Sequence, residues 1–289
     1  MGTRGFFLIA TGEDYVEEAK TTAKSITQHS DYPIAIVTDQ YIDSELFDEV
    51  IIDGDPTYSF FDKPRNMGKT PYDKTVFIDT DAFLTTSVPE LFDILERVDI
   101  ATTIDPNEWG GRMRKDPHFD DIPEAVPIFQ TGVVCYKRDE CGDIFDLWQE
   151  IHERNRESLT TDQSSFRLAI YHTDINHLVL SDLYNCLGTW PMQVTGEVKI
   201  IHKGAENETE ANNLASRMNA TENPRLFYTP PRGSIYSPVK PRLNSYITML
   251  SKALTNFYKG TQISRQFFSS CKRRGFIETL RRSIKLLTS

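Results

Sequence analysis

Two aspartates, Asp79 and Asp81, stand two positions apart at the end of the apolar run Val76-Phe77-Ile78. Three consecutive apolar residues read as a buried strand, so both carboxylates arrive at a strand's C-terminal end, where open α/β sheets bind ligands. Carboxylates that close repel each other. A hard divalent cation relieves the repulsion and keeps positions free for substrate phosphates. Two solvated turn aspartates in an acidic chain would look the same, and the short motif alone does not separate the readings. His202 follows a second strand-like run, Val198-Lys199-Ile200-Ile201. An imidazole at the same edge would complete a metal shell, and nitrogen joining oxygen favours Mn2+ over Mg2+. The plain alternative is a hydrogen-bonded histidine at a strand end. Lys203 and the Gly204 backbone come next and could meet a diphosphate beside the metal.

The elements that must position these groups follow from apolar periodicity. Gly5 to Ala10, Ile34 to Thr38, Val50 to Ile52, Val76 to Ile78, Ile100 to Ile104 and Gly132 to Tyr136 read as strands. Val16, Ala19, Ala23 and Ile26 share a helix face, as do Ile144, Leu147, Trp148 and Ile151, and Pro89 opens a helix running to Leu95. Strands alternating with helices predict an α/β fold with a mostly parallel sheet. Residues 105–130 lack periodicity and carry Trp109, Gly110, Gly111 and Pro117, a long excursion of the kind that binds ligands.

The chain of 289 residues is 39% hydrophobic, enough for a packed core, with no apolar run near the ~18 to 20 residues of a membrane span. Net charge is −10, but residues 240–289 hold eleven Lys/Arg and one acid, Glu278, against 21 basic and 41 acidic residues in the remainder. An acidic body excludes nucleic acid as the main partner. The cysteines, Cys135, Cys141, Cys186 and Cys271, show no C-x-x-C pairing and fit a reducing compartment. Gly5 to Ala10 is too short for a secretory leader, so a cytoplasmic protein is expected. Prolines at 224, 230, 231, 238 and 241 mark an extended linker. The organisation expected is a catalytic domain over 1–223, a linker over 224–241 and a basic helical tail over 242–289.

Five segments carry a resemblance. Phe7-Leu8-Ile9-Ala10-Thr11-Gly12-Glu13-Asp14-Tyr15, Thr70 to Asp81, Phe129-Gln130-Thr131-Gly132-Val133-Val134, Thr161-Asp162-Gln163 and His202-Lys203-Gly204 occur in that order. Over residues 5–205 the chain resembles GT-A fold nucleotide-sugar glycosyltransferases, nearest to family 8, the glycogenin and bacterial galactosyltransferase group. The resemblance implies a Rossmann-like α/β domain and a Mn2+ (or Mg2+) ion held by Asp79, Asp81 and His202. It also implies a nucleotide diphosphate sugar donor, a UDP sugar, and retention of anomeric configuration. Ala10, Thr11 and Tyr15 would meet the base and ribose. Arg65 and Lys69, with Lys63 before them, would neutralise phosphate or pair with the acids; surface cations are the alternative. Thr80, Thr131, Gly132, Lys203 and Gly204 would also line the donor, with Gly132 letting backbone approach the sugar. Asp162 and Gln163 would act at the reacting face, unless Asp162 is only a helix cap. Asp105 and Trp109 would touch the acceptor, a glycan or glycolipid. Three departures stand out: Gln130 where the family usually has Asn, Gly12 where it often has Asp, and Ala205-Glu206-Asn207 where a longer signature follows the histidine.

Two rivals use the same residues. A haloacid-dehalogenase-like phosphatase would take Asp79 as nucleophile and Asp81 as acid/base. A GT-A scaffold without turnover would bind a nucleotide sugar or glycan only. In the tail, Phe276, Ile277, Leu280, Ile284 and Leu287 share a helical face flanked by Arg273, Arg274, Arg281, Arg282 and Lys285. Such a helix suits an anionic membrane surface, or packing against the acidic body.

Overall fold

The computed structural model describes residues 2–105, 122–157, 159, 161–188, 192–220 and 225–227. In chain order, β1 (Arg4–Ala10) leads into α1 (Glu13–His29), β2 (Ile34–Thr38) and β3 (Glu49–Ile52). Next come α2 (Asp62–Asn66), β4 (Lys74–Ile78), β5 (Ala82–Leu84), α3 (Glu90–Asp93) and β6 (Ile100–Ile104). Then follow β7 (Phe129–Lys137), α4 (Gly142–Arg154), α5 (Gln163–His172) and β8 (His177–Val179). β9 (Cys186–Leu187), β10 (Met192–Val194), β11 (Ile200–His202), α6 (Glu208–Asn219) and β12 (Arg225–Phe227) complete the described elements.

The main sheet has the order β3-β2-β1-β4-β7-β6-β8. Every pairing is parallel except the two that β7 makes, with β4 and with β6. Apolar side chains alternate between its two faces with a strand's period of two. Phe6, Leu8, Ile34, Ile36, Val76 and Ile78 pack on one side with Val16, Ala19, Ala23 and Ile26 of α1. Phe7, Ala35, Val37, Phe77 and Val134 pack on the other with Phe145 and Trp148 of α4 and Phe166 of α5. Burial on both faces explains why these strands are continuous apolar runs rather than alternating ones.

A smaller sheet, β5-β11-β9, completes the site's frame. Asp79, Thr80 and Asp81 form the turn between β4 of the large sheet and β5 of the small one. β11 pairs antiparallel to β5 with His202 opposite Ala82, the residue after Asp81. That register joins the distant histidine to the acidic turn. Helix α6 covers the small sheet with Ala211, Leu214, Ala215 and Met218.

Two local expectations are corrected. The helix read over Pro89 to Leu95 is α-helical only over Glu90–Asp93 and tightens to a 3-10 turn at Ile94–Glu96. The strand read from Val198 starts at Ile200, because the Val198 N–H donates to the Asn219 side chain and the Lys199 N–H to the Leu183 carbonyl. Arg225–Phe227, at the head of the stretch read as linker, pairs antiparallel with β10. The rest of that stretch, the 242–289 tail and Trp109 lie outside the described residues. Cys135, Cys141 and Cys186 are buried thiols, and no described helix is long and apolar enough to cross a membrane.

Candidate metal centre

Backbone hydrogen bonds fix the acidic turn before any side chain acts. The Asp79 N–H donates to the Gly132 carbonyl on β7 at 2.8 Å, and the Lys203 N–H donates to the Asp81 carbonyl at 3.0 Å. Ligand atoms of Asp79, Asp81 and His202 thereby lie within 4.8 Å of one another. His202 Nε2 is 3.1 Å from Asp81 Oδ1 and 3.8 Å from Asp79 Oδ2. The other ring nitrogen, Nδ1, is 2.8 Å from the amide oxygen of buried Asn185, whose NH2 donates to Thr103 Oγ1 at 3.1 Å. With the Asn185 oxygen toward the ring, Nδ1 is the nitrogen that donates in this bond, and Nε2 is left facing the two carboxylates.

This arrangement meets the test for a cation site. His202 Nε2 is buried without a hydrogen-bond partner. Two carboxylates around that nitrogen call for a positive species between them, a proton or a cation, and one imidazole with two carboxylates is a donor set for Mn2+ or a similar divalent ion. Burial pushes the Asp79 carboxyl above its ordinary range, against the pull of Lys63 and His202. Burial would raise Asp81 too, but His202, Lys203 and Lys63 hold it below the usual carboxylate range. Asn185→Ala is expected to weaken divalent-ion affinity about 10- to 100-fold, the usual cost of losing a histidine's outer partner. Isothermal titration with Mn2+ measures it, and unchanged affinity would mean that Asn185 does not orient the ring.

Gly132 serves the histidine. A Cβ there would fall 2.5 Å from His202 Nδ1, so only glycine lets β7 pass the imidazole. The residue that sequence reading placed beside the sugar thus has its open side filled by the His202 ring. Lys203 and Gly204 continue the chain at positive φ, 61° and 86°. Gly204 packs on Gly188, where a Cβ would meet backbone.

Lys63 on α2 links Asp79 to the start of α5. Its ammonium is 2.7 Å from Asp79 Oδ1, 3.3 Å from Asp162 Oδ2 and 3.4 Å from Thr131 Oγ1. Burial works against this charge, but Asp162 and Asp79 outweigh it and hold Lys63 protonated beyond the ordinary lysine range. Of its two possible roles, pairing with the acids is the one observed. Asp162 makes no side-chain cap bond to α5. Its backbone carbonyl instead accepts Trp148 Nε1 at 3.1 Å and Ser165 Oγ at 2.8 Å, which leaves the carboxylate for Lys63. Gln163 Nε2 donates to Gln130 Oε1 at 3.0 Å.

The remaining candidates are dispersed. Ala10 ends β1 and Thr11 follows it, with Thr11 Oγ1 donating to Asp62 at 2.8 Å. Tyr15, in the first turn of α1, is exposed. Arg65 donates to the Asp55 carbonyl and lies 3.5 Å from Asp62, and Lys69 lies 3.8 Å from Asp53. Both cations thus face acids near β3 and α2 rather than the Asp79 cluster. Thr80 is committed to α1, its hydroxyl on Glu18 and its carbonyl accepting from Thr22. Asp105 follows β6, with its N–H on the Ile128 carbonyl at 2.7 Å. Sequence reading missed Asn185 and Asp62, because neither belongs to a motif and each acquires its role through partners far along the chain.

No protein-family model matches the chain, and no curated protein sequence does. Among solved structures, the galactosyltransferase LgtC, in complex with donor and acceptor sugar analogs, superposes with a TM-score of 0.53 at 12% identity. That match covers 74% of this chain and 95% of LgtC. Mouse xyloside xylosyltransferase 1 in its apo form gives 0.47 at 14% identity, over 71% of this chain and 99% of that one. The glycosyltransferase GlyE of Streptococcus pneumoniae TIGR4 gives 0.45 at 18% identity over 63% of this chain, which spans about half, 47%, of the GlyE chain. The likeness to LgtC, together with the mixed seven-stranded sheet, shows a GT-A fold.

Proposed function

We propose that the chain is a metal-dependent glycosyltransferase similar to family 8, moving a hexose from a UDP sugar to a glycan or lipid-linked acceptor with retention. The observation that carries the reading is the Asp79-Asp81-His202 cluster, with its orphaned Nε2, at the C-terminal edge of a GT-A sheet. A divalent ion held there would act as a Lewis acid on the charge that develops on the leaving diphosphate. The chain's own groups do the rest. Lys203 and the Gly204 backbone flank the diphosphate from the side of β11. Lys63 spaces Asp79 from Asp162 and offsets part of their charge. Asp162 and Gln163 line the reacting face, where Asp162 binds donor-sugar hydroxyls and Gln163 offers an amide to the positive charge growing on the sugar. The Lys63 ammonium occupies Asp162 and leaves it a poor nucleophile, which favours attack of the acceptor hydroxyl from the leaving-group side. Asp105 and Trp109 belong to the acceptor side.

The dehalogenase-like alternative would need Asp79 as a free nucleophile, yet its Oδ1 is 2.7 Å from Lys63. A binding scaffold without turnover remains the second reading that the test addresses. Nucleotide sugars are screened for Mn2+-dependent hydrolysis and transfer. One UDP sugar should turn over, and Gln163→Ala should lower kcat about 100-fold with KM nearly unchanged, the mark of an interaction made in the transition state. Binding without turnover would establish the scaffold, and release of phosphate from simple monoesters would establish the phosphatase. The basic amphipathic residues 242–289 would hold the enzyme on the anionic cytoplasmic face of a membrane near lipid-linked acceptors. Salt-sensitive co-sedimentation with anionic vesicles, lost in a 1–239 truncation that stays soluble, tests that part.

A further inference from the structure

Helix α1 carries two hydroxyls on a face that packing alone would make apolar. Thr22 and Ser25 are fully buried, on the same face as Val16, Ala19, Ala23 and Ile26. A buried hydroxyl is costly unless it is bonded, so such residues mark places where a helix holds something other than apolar side chains. Both reach the segment that carries the acidic turn. Ser25 Oγ accepts the Leu84 N–H of β5 at 3.1 Å, and Thr22 Oγ1 donates to the Thr80 carbonyl at 2.5 Å. Ser25 in turn donates to the Thr22 carbonyl at 2.7 Å, which joins the two contacts into one ladder. β5 is an edge strand of its sheet with β11 as its one neighbour, and α1 supplies bonds that a second strand would otherwise give.

The Thr80 carbonyl belongs to the peptide that joins Thr80 to Asp81, and the plane of that peptide sets where Asp81 points. Asp79 to Ala82 form a tight turn, closed by the Ala82 N–H on the Asp79 carbonyl at 3.1 Å, with Thr80 and Asp81 as its central residues. The peptide between the two central residues is the one that flips between the common turn types, and the flipped form needs positive φ at the second of them. Asp81 is not among the described residues at positive φ. Neighbouring backbone groups are held by the two sheets, the Asp79 N–H by the Gly132 carbonyl and the Asp81 carbonyl by the Lys203 N–H. The Thr80 carbonyl is held from the helix instead, by the Thr22 hydroxyl. Without that hydroxyl a buried carbonyl is left unbonded, which is costly. Turning it to find another partner changes φ at Asp81 and swings the carboxylate away from His202.

We infer that Thr22 is a positioning residue for the metal centre: its hydroxyl fixes the Thr80–Asp81 peptide in the orientation that brings the Asp81 carboxylate to His202. The inference rests on the metal-dependent reading of the Asp79-Asp81-His202 cluster. It adds to that reading a residue on a separate element, which touches neither the ion nor the substrate. Glu18, one turn earlier on α1, accepts the Thr80 hydroxyl at 2.9 Å and holds the same residue by its side chain.

Titration calorimetry of the full chain with Mn2+, in the presence of UDP, tests the assignment. Thr22→Val keeps the side chain's shape and removes only the hydroxyl, and it should weaken Mn2+ binding about tenfold, as loss of an outer partner does. Thr22→Ser keeps the hydroxyl and should bind within about twofold of the wild type. Thr22→Val will also lower the melting temperature, so Ile26→Val serves as a control for stability alone. It trims a fully buried side chain on the same helix face, lowers melting by a comparable few degrees and should leave Mn2+ affinity unchanged. Should Thr22→Val fail to fold, Thr22→Ala takes its place with the same expected loss, because alanine gains helix propensity. Wild-type affinity in the folded variant without the hydroxyl would overturn the assignment while the metal reading stands. So would a loss in Thr22→Ser or in Ile26→Val as large as in Thr22→Val. If the wild type itself does not bind Mn2+, the metal reading falls and the positioning role falls with it.

Discussion

Asp81→Asn is expected to abolish the joint stabilisation that Mn2+ and UDP give the wild type, and to cost about 1000-fold in turnover. A ligand pair that binds only the native state raises stability by mass action, about 2.7 kcal/mol at a hundredfold excess over Kd. For a domain of this size that is a rise of roughly 5 to 10 °C in Tm. Asp81 is the carboxylate nearest the imidazole, with 3.1 Å between its Oδ1 and His202 Nε2. Its amide replacement has no charge and presents one acceptor in place of two. Without that ligand the diphosphate loses its counter-charge, several kcal/mol of transition-state stabilisation. Differential scanning fluorimetry with Mn2+, UDP and both together reads the result. An undiminished joint shift in Asp81→Asn would remove the residue from the metal centre, whatever the activity.

Lys63→Met should be the most destabilising single change near the site. It leaves two carboxylates, Asp79 and Asp162, facing each other across the space of the lost ammonium, and Asp162 is almost fully buried. Removing one partner of a buried ion pair costs about 3 to 5 kcal/mol, because the remaining charge is uncompensated. Melting should therefore fall by roughly 10 °C. Two further outcomes separate the charge effect from lost packing. Adding Asp162→Asn to Lys63→Met should recover about half of the loss, since it removes one of the stranded charges. Mn2+ alone should raise the Tm of Lys63→Met more than that of the wild type, because a cation at Asp79 replaces part of what the lysine supplied. A Lys63→Met protein that melts like the wild type and responds equally to Mn2+ would show that the ammonium is not paired in solution.

Much of the frame was legible because it depends on local pattern. Continuous apolar runs marked β1, β2 and β4, and spacings of three and four marked the buried face of α1. The two aspartates could be placed at the end of β4 because a strand's end is a property of the strand's own residues. Direction and pairing are not. Nothing in Phe129–Lys137 says that β7 runs antiparallel between β4 and β6, since a doubly buried strand has the same composition in either direction.

The sequence by itself therefore determined which groups could do chemistry and at which strand ends they stand. Only the tertiary structure decided what each of them faces. The β5–β11 register, not any feature around residue 202, brings His202 to Asp81. Asn185 holds one nitrogen of that histidine and leaves the other facing the acids. Asp162 has the residue type and position of a helix cap, yet its carboxylate goes to Lys63. Arg65 and Lys69 share a basic stretch with Lys63 but turn to Asp53 and Asp62 instead of Asp79 and Asp81. The physical reason is common to all of these. Periodicity reports burial within one element, whereas a charged or hydrogen-bonding side chain takes its role from whichever buried partner the fold places within about 3 Å.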